Sequence, residues 1–213
     1  MNHGILLLSG GRSQRMGSPK QALAHPSGGS WGAHLIWTFT TVFPRGASCI
    51  LGDALPDLPH LPRLEDPRRG PAAALGAWAL ARAAEQVPSA DRWWVVGCDQ
   101  VRWTPERLDA WASASERADP AGAHWVIAEY EQHLQPLGGW LPEVLCPNLA
   151  ISQGGSLIEL LKTLPHLVLP GVGEEWRDVD TPEERQQFEE EANHPPIQGS
   201  QPALTLGRMR QSS

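Results

Sequence analysis

The chain has 213 residues, 41% of them hydrophobic and 19% charged, enough apolar material to bury a core and too little charge for disorder along its whole length. At a soft prior of roughly 150 residues per domain, that length suits one large domain with appendages better than two equal ones. Seventeen Lys and Arg against twenty-four Asp and Glu leave a net charge of −7. This is the wrong sign for a protein whose affinity rests on neutralising nucleic-acid phosphates, so nucleic acid is not an expected partner and any phosphate must be met by local groups.

In chain order, Met1-Asn2-His3-Gly4 carries no Lys or Arg, and the apolar run Ile5-Leu6-Leu7-Leu8 stops at Ser9-Gly10-Gly11. The run is too short for a signal sequence or a membrane span. Cys49, Cys98 and Cys146 lie far apart, without a CxxC pair or a zinc-like spacing to histidine, a usage that points to a reducing compartment. The expectation is a soluble, cytoplasmic protein with no membrane partner.

Apolar runs of strand length at 5–8, 48–51, 93–96, 124–128 and 167–169 alternate with stretches of helical period at 34–42, 72–86, 105–113 and 156–164. That alternation predicts an α/β fold in which crossover helices join parallel strands. The continuous apolar character of the strands suits burial on both faces, and the stripe Leu75, Trp78, Ala79 should lie against the sheet. Segment 56–69 carries four prolines and the pair Arg68-Arg69, which predicts irregular surface chain at the rim of a site. Thr104-Pro105-Glu106 and Thr181-Pro182-Glu183-Glu184 each place a hydroxyl at the N-cap and proline at the first helical position, with Glu184 completing a capping box. Beyond Glu191 periodicity ends, so 1–191 is expected to form one domain and 192–213 a disordered tail. Of the ten tryptophans, Trp78, Trp93, Trp94, Trp103 and Trp111 fall within or beside predicted core elements, and most are expected to serve packing.

The chemistry concentrates where the first strand ends. In Leu8-Ser9-Gly10-Gly11-Arg12-Ser13-Gln14-Arg15-Met16-Gly17-Ser18-Pro19-Lys20, paired glycines let backbone N–H groups approach an anion with no Cβ between. Arg12, Arg15 and Lys20 add the positive charge a triphosphate requires. The pattern is neither GK[ST] nor GxGxxG, which weakens ATPase and NAD readings. No HxxxH, HExxH or GxSxG pattern offers zinc or serine-nucleophile chemistry.

The run LLLSGGRSQRMGSPKQAL resembles the signature of the MobA-type nucleotidyltransferases, the molybdenum cofactor guanylyltransferases, usually LAGGxSxRMGxDKxxL. Further likenesses follow in order: Glu65-Asp66-Pro67 with Gly70-Pro71-Ala72-Ala73, Cys98-Asp99, and Asp178-Val179-Asp180-Thr181-Pro182-Glu183. The resemblance, over about residues 4–190, implies a Rossmann-like three-layer sandwich with a mostly parallel central sheet, of the nucleotide-diphospho-sugar transferase type. It also implies transfer of GMP from GTP to the terminal phosphate of molybdopterin, with Mg²⁺ and release of pyrophosphate. Partners would be those small molecules, with transient contact to enzymes that deliver or receive the cofactor.

Asp99 follows four buried-type apolar residues at the carboxyl end of a strand, where the crevice of an open α/β sheet lies. It is the expected ligand of Mg²⁺, a hard ion that shares carboxylates with substrate phosphates. Leu8, Ser9, Gly10, Gly11, Arg12, Lys20, Asp66 and Asp99 are expected to bind the nucleotide, and Arg15, Lys20 and Asp99 to act in catalysis. Asp178 and Asp180 read equally well as structural or as functional, with a secondary metal role open to Asp180. His133 is a candidate acceptor contact or a surface histidine. The acceptor is an ionised phosphate and needs no general base.

This sequence departs from the family pattern at Gly97-Cys98-Asp99-Gln100-Val101, where PCDxP is usual, at Pro19 before the loop lysine, and at Pro71-Ala72-Ala73-Ala74. Pro19-Lys20-Gln21 and Asp178-Val179-Asp180 also resemble the sister cytidylyltransferases, whereas Ser9-Gly10-Gly11 favours guanine. A cytidylyltransferase or a sugar-phosphate nucleotidylyltransferase on the same fold is therefore the alternative. Retention of Lys20 with Asp99 speaks against a non-catalytic, nucleotide-binding adaptor.

Overall fold

His3–Leu8, buried at all six positions, forms the central strand β1 of a computed structural model that describes residues 1–10, 16, 18–65, 70–151 and 155–193. On one side of β1 lies the parallel strand β2 (Ala47–Leu51), edged by the short β3 (Arg63–Leu64). On the other side lies the parallel β4 (Arg92–Gly97). The sheet continues through β6 (His133–Pro142), β5 (Trp125–Tyr130) and β7 (His166–Pro170), giving the order β3-β2-β1-β4-β6-β5-β7. β6 is antiparallel to both neighbours while β5 and β7 run parallel to each other, so β6 is the one strand of this sheet that runs against the rest.

Alternate residues of the central strands feed two cores. Ile5, Leu7, Trp94 and Val96 pack under α1 (Trp31–Val42) and α3 (Pro105–Ala118). Leu6, Leu8, Trp93 and Val95 pack under α2 (Pro71–Ala83) and two short helices, α4 (Cys146–Ala150) and α5 (Leu157–Leu161). The expected α/β class and three-layer sandwich hold for a reason already present in the strand composition: strands apolar on both faces are covered on both faces. Trp94, Trp103, Trp176 and Trp111 meet edge to face in sequence, with centroids 5.0–5.3 Å apart, which fixes their mutual geometry as well as burying area. The three cysteines are free and buried. Among the described residues no helix is long and apolar enough to cross a membrane.

Two strands escape the sequence reading. β3 arises inside the proline-rich segment as two residues paired with the end of β2. β6 is interrupted by Pro136 and by Gly138-Gly139, which read as breakers but form a bulge: Val126 pairs with Trp140 and Ala128 with Gln135. Proline is tolerated at such a bulge, and the carbonyl that the bulge leaves outside the ladder is used, since Gly138 O accepts from the indole N–H of both Trp94 (3.0 Å) and Trp111 (2.8 Å). Helix ends also differ. α2 stops at Ala83, where Glu85 turns left-handed (φ 55°), α3 extends to Ala118 and α5 stops at Leu161. The last helix, α6 (Pro182–Asn193), starts as predicted and runs two residues past Glu191. The rest of the expected tail lies outside the described residues.

Candidate active site

From β1 the chain passes to β2 and β3 on one side, then crosses back to β4 on the other. The carboxyl ends of β1 and β4 therefore flank a point where the winding reverses, the crevice in which open α/β sheets hold ligands. Leu8, Ser9 and Gly10 reach it from β1, Gly52 and Asp53 from β2, and Cys98 and Asp99 from β4.

The first wall is rigid. Ser9 donates its N–H to Leu51 O (2.9 Å) and its hydroxyl to Asp53 O (2.6 Å), while Leu8 O accepts from Cys98 N (3.1 Å). Asp53 also accepts from Gln21 Nε2 (3.3 Å). Gly52 has φ +125°, and a Cβ there would overlap the Gly10 nitrogen and stand 2.9 Å from the Ser9 carbonyl carbon. Only a residue without a side chain lets these two loops touch.

Lys20 opens a short 3₁₀ turn, Lys20–Ala22, behind Pro19, and its residue is only 8% exposed. Its Nζ lies 3.2 Å from Asp99 Oδ2 and also donates to Asp180 Oδ1. Burial pulls against the ammonium, but the attraction of Asp99 and the hydrogen bond and charge of Asp180 outweigh it, and the pKa is raised.

Asp99 is held by its neighbours. A Cβ on Gly97 would stand 2.5 Å from Asp99 Oδ1, so glycine in place of the usual proline leaves room for the carboxylate to fold back over the strand end. Gln100, fully buried, accepts from Gly97 N (3.3 Å) and donates to Leu137 O (3.4 Å), bracing the turn. Asp99 O accepts from Val179 N (3.0 Å), which brings the 178–180 segment alongside. Asp180 is fixed by the capping box: Glu184 accepts from the N–H of Asp180 (2.8 Å) and Thr181 (2.9 Å), and Thr181 Oγ1 accepts from Glu184 N (3.2 Å). Desolvation, then the like charges of Asp99 and Asp180, raise the Asp178 carboxyl to about 7, and solvent on its open side screens part of that effect.

Of the residues expected from sequence, Leu8, Ser9, Gly10, Lys20 and Asp99 thus come together at one crevice. Gly11, Arg12, Arg15 and Asp66 lie outside the described residues. His133 is exposed at the start of β6, in the β5–β6 hairpin that projects from the same sheet edge as Asp99. The sequence reading missed Gly52, Asp53 and Gln100. A glycine directly after a strand marked Gly52 as it marked Gly10, but nothing in the sequence says that the two touch.

The donor set suits a hard divalent cation. Carboxylates from two distant segments, Asp99 and Asp180, converge on the positive charge of Lys20. Among the described residues no group of three or more His, Cys, Asp or Glu could hold a metal ion, so further ligands would come from substrate phosphates and water.

The family model for the MobA-like NTP transferase domain matches residues 5–167. Molybdopterin-guanine dinucleotide biosynthesis protein A from Archaeoglobus fulgidus is similar in fold, with a TM-score of 0.65 at 16% identity over 90% of this chain and 99% of that one. Rv0371C from Mycobacterium tuberculosis H37Rv, solved in complex with manganese, has a TM-score of 0.59 at 18% identity over 89% and 98%. The 2-C-methyl-D-erythritol 4-phosphate cytidylyltransferase from Thermus thermophilus has a TM-score of 0.58 at 12% identity over 88% and 98%. No curated protein matches the chain. At these identities the structural likeness is one of fold.

Proposed function

The chain belongs to the MobA-like NTP transferase family, and from that premise we propose that it transfers GMP from GTP to the terminal phosphate of molybdopterin. An oxygen of the acceptor phosphate forms the new bond to the α-phosphorus of GTP, the α–β bridging bond breaks, and its electron pair leaves with pyrophosphate. The acceptor oxygen is already ionised at neutral pH, so no side chain has to take a proton. What the protein supplies is placement and neutralisation of negative charge.

The observation that carries this reading is the contact of Lys20 with Asp99, 79 residues apart in the chain, at the reversal point of the sheet. Lys20 would neutralise the triphosphate and the leaving pyrophosphate, joined by Arg12 and Arg15. The backbone of Leu8-Ser9-Gly10, held by Leu51 and Asp53, would present a preformed wall to base and phosphate, and Gly11 and Asp66 are proposed as further nucleotide contacts on the family resemblance alone. Mg²⁺, held by Asp99 with Asp180 beside it, would supply charge neutralisation between nucleotide and acceptor phosphates.

Pyrophosphate release on mixing GTP with molybdopterin and Mg²⁺ tests the proposal. GTP is expected to turn over, and Asp99→Ala to lower the rate by about two orders of magnitude, the usual scale for losing electrostatic stabilisation of this kind. Turnover of CTP in preference to GTP would move the activity to the cytidylyl reaction, which the acidic Asp178-Val179-Asp180 segment favours. An unchanged rate in Asp99→Ala would reject the site.

A further inference from the structure

We propose that Lys20 is the resident counter-cation of Asp99 and Asp180, holding the two acids together when no divalent ion is bound and competing with such an ion for their oxygens. This deepens the function proposed above and rests on its assignment of a divalent cation to Asp99.

The geometry makes the two occupancies exclusive. The Lys20 side chain is 10% exposed, and those of Asp99 and Asp180 are 26% and 36% exposed. The ammonium is thus withdrawn from water and placed where a cation bridging both carboxylates would stand. The main chains of the two acids are held side by side. Val179 N binds Asp99 O, and the Glu184 carboxylate binds the Asp180 N–H, so both are tied through backbone. A positive charge between them offsets their repulsion. Lysine suits a replaceable one: its point charge sits on a flexible four-carbon stem, and Pro19 anchors the backbone at the root of that stem (φ −59°). A hard divalent ion has twice the charge and prefers the same oxygens. Its arrival would free the ammonium to turn to nucleotide phosphates without any change of fold.

The test uses Mn²⁺ alone, without nucleotide, read by electron paramagnetic resonance titration and by thermal melting of the full chain. Lys20→Met is expected to bind Mn²⁺ roughly tenfold more tightly than wild type, because the competing charge is gone. Lys20→Arg, which keeps the charge, should bind no more tightly than wild type. Without metal, Lys20→Met should melt below wild type, and Mn²⁺ should restore most of the difference. A merely structural lysine would leave that deficit in place. Equal or weaker Mn²⁺ binding by Lys20→Met overturns the proposal. So does equal binding by wild type and Asp99→Asn, which would also remove the metal from Asp99. Pyrophosphate release from GTP in wild type is read separately, so loss of the nucleotidyl-transfer reading is distinguishable from loss of this one.

Discussion

Gly52 holds the loops after β1 and β2 in contact by having no side chain. Its φ of +125° is unfavourable for any other residue, and the space a methyl group would need is filled by Gly10 and Ser9 backbone. Gly52→Ala therefore combines backbone strain with steric displacement of the wall that would face the nucleotide. Its expected cost is about 1–3 kcal/mol in urea unfolding, with a smaller GTP-induced thermal shift than wild type. An alanine variant with wild-type stability and wild-type GTP response would show that the two loops are not coupled in this way. At this scale the sequence was informative about charge and poor on contact. Lys20 and Asp99 stood out by residue type and position, whereas Gln100 looked like an interruption of a known motif and proves to brace the Asp99 turn from a fully buried position.

Elements are joined near the site by two stacked histidines, His25 before α1 and His34 within it, with ring centroids 3.6 Å apart. Their Nε2 atoms face Val101 O (3.3 Å) and Trp103 O (2.9 Å), so each ring donates there. His25 Nδ1 lies 2.7 Å from Ser27 Oγ, and His34 Nδ1 lies 3.4 Å from the same oxygen. The pair thereby docks α1 against the loop that follows Asp99. Burial, then the neighbouring His34, push the His25 imidazole down to about 4, and burial lowers His34 as well. Both are neutral in the fold, while an unfolded chain takes up protons near the ordinary value of about 6.5. Stability from this pair is complete above that value and is lost as pH falls towards about 4, by roughly 3 kcal/mol for His25. Urea unfolding across that range should show a steeper acid loss in wild type than in His25→Gln; identical slopes would contradict it. The capping box at Thr181 and Glu184 was legible because it is local chemistry, its two partners three residues apart. β6 was not, because its identity depends on a bulge whose carbonyl is used by two tryptophans from other elements, and its hairpin turns through Glu131 and Gln132 at positive φ without the glycine that usually marks such a turn.

On the scale of the whole molecule, the proposed function depends on the sheet order. Asp180 lies 160 residues from Lys20 in sequence, and only the reversal of winding between β1 and β4 brings the amino-terminal loop, the end of β4 and the segment before α6 to one edge. Alternation of apolar runs made the α/β class readable, but strand order is a non-local property that no window of sequence carries. The family resemblance implied a mostly parallel central sheet, and its order comes from the structure. The central claim is that the Lys20–Asp99 contact marks the nucleotide site, and the most direct measurement is the further thermal shift that GTP produces at constant Mg²⁺, relative to Mg²⁺ alone, in wild type, Lys20→Met and Asp99→Ala. A ligand that binds the folded state raises its melting temperature through mass action. The account predicts a clear upward shift in wild type and loss of most of it in both variants. Shifts of wild-type size in both would place the nucleotide elsewhere and contradict the account.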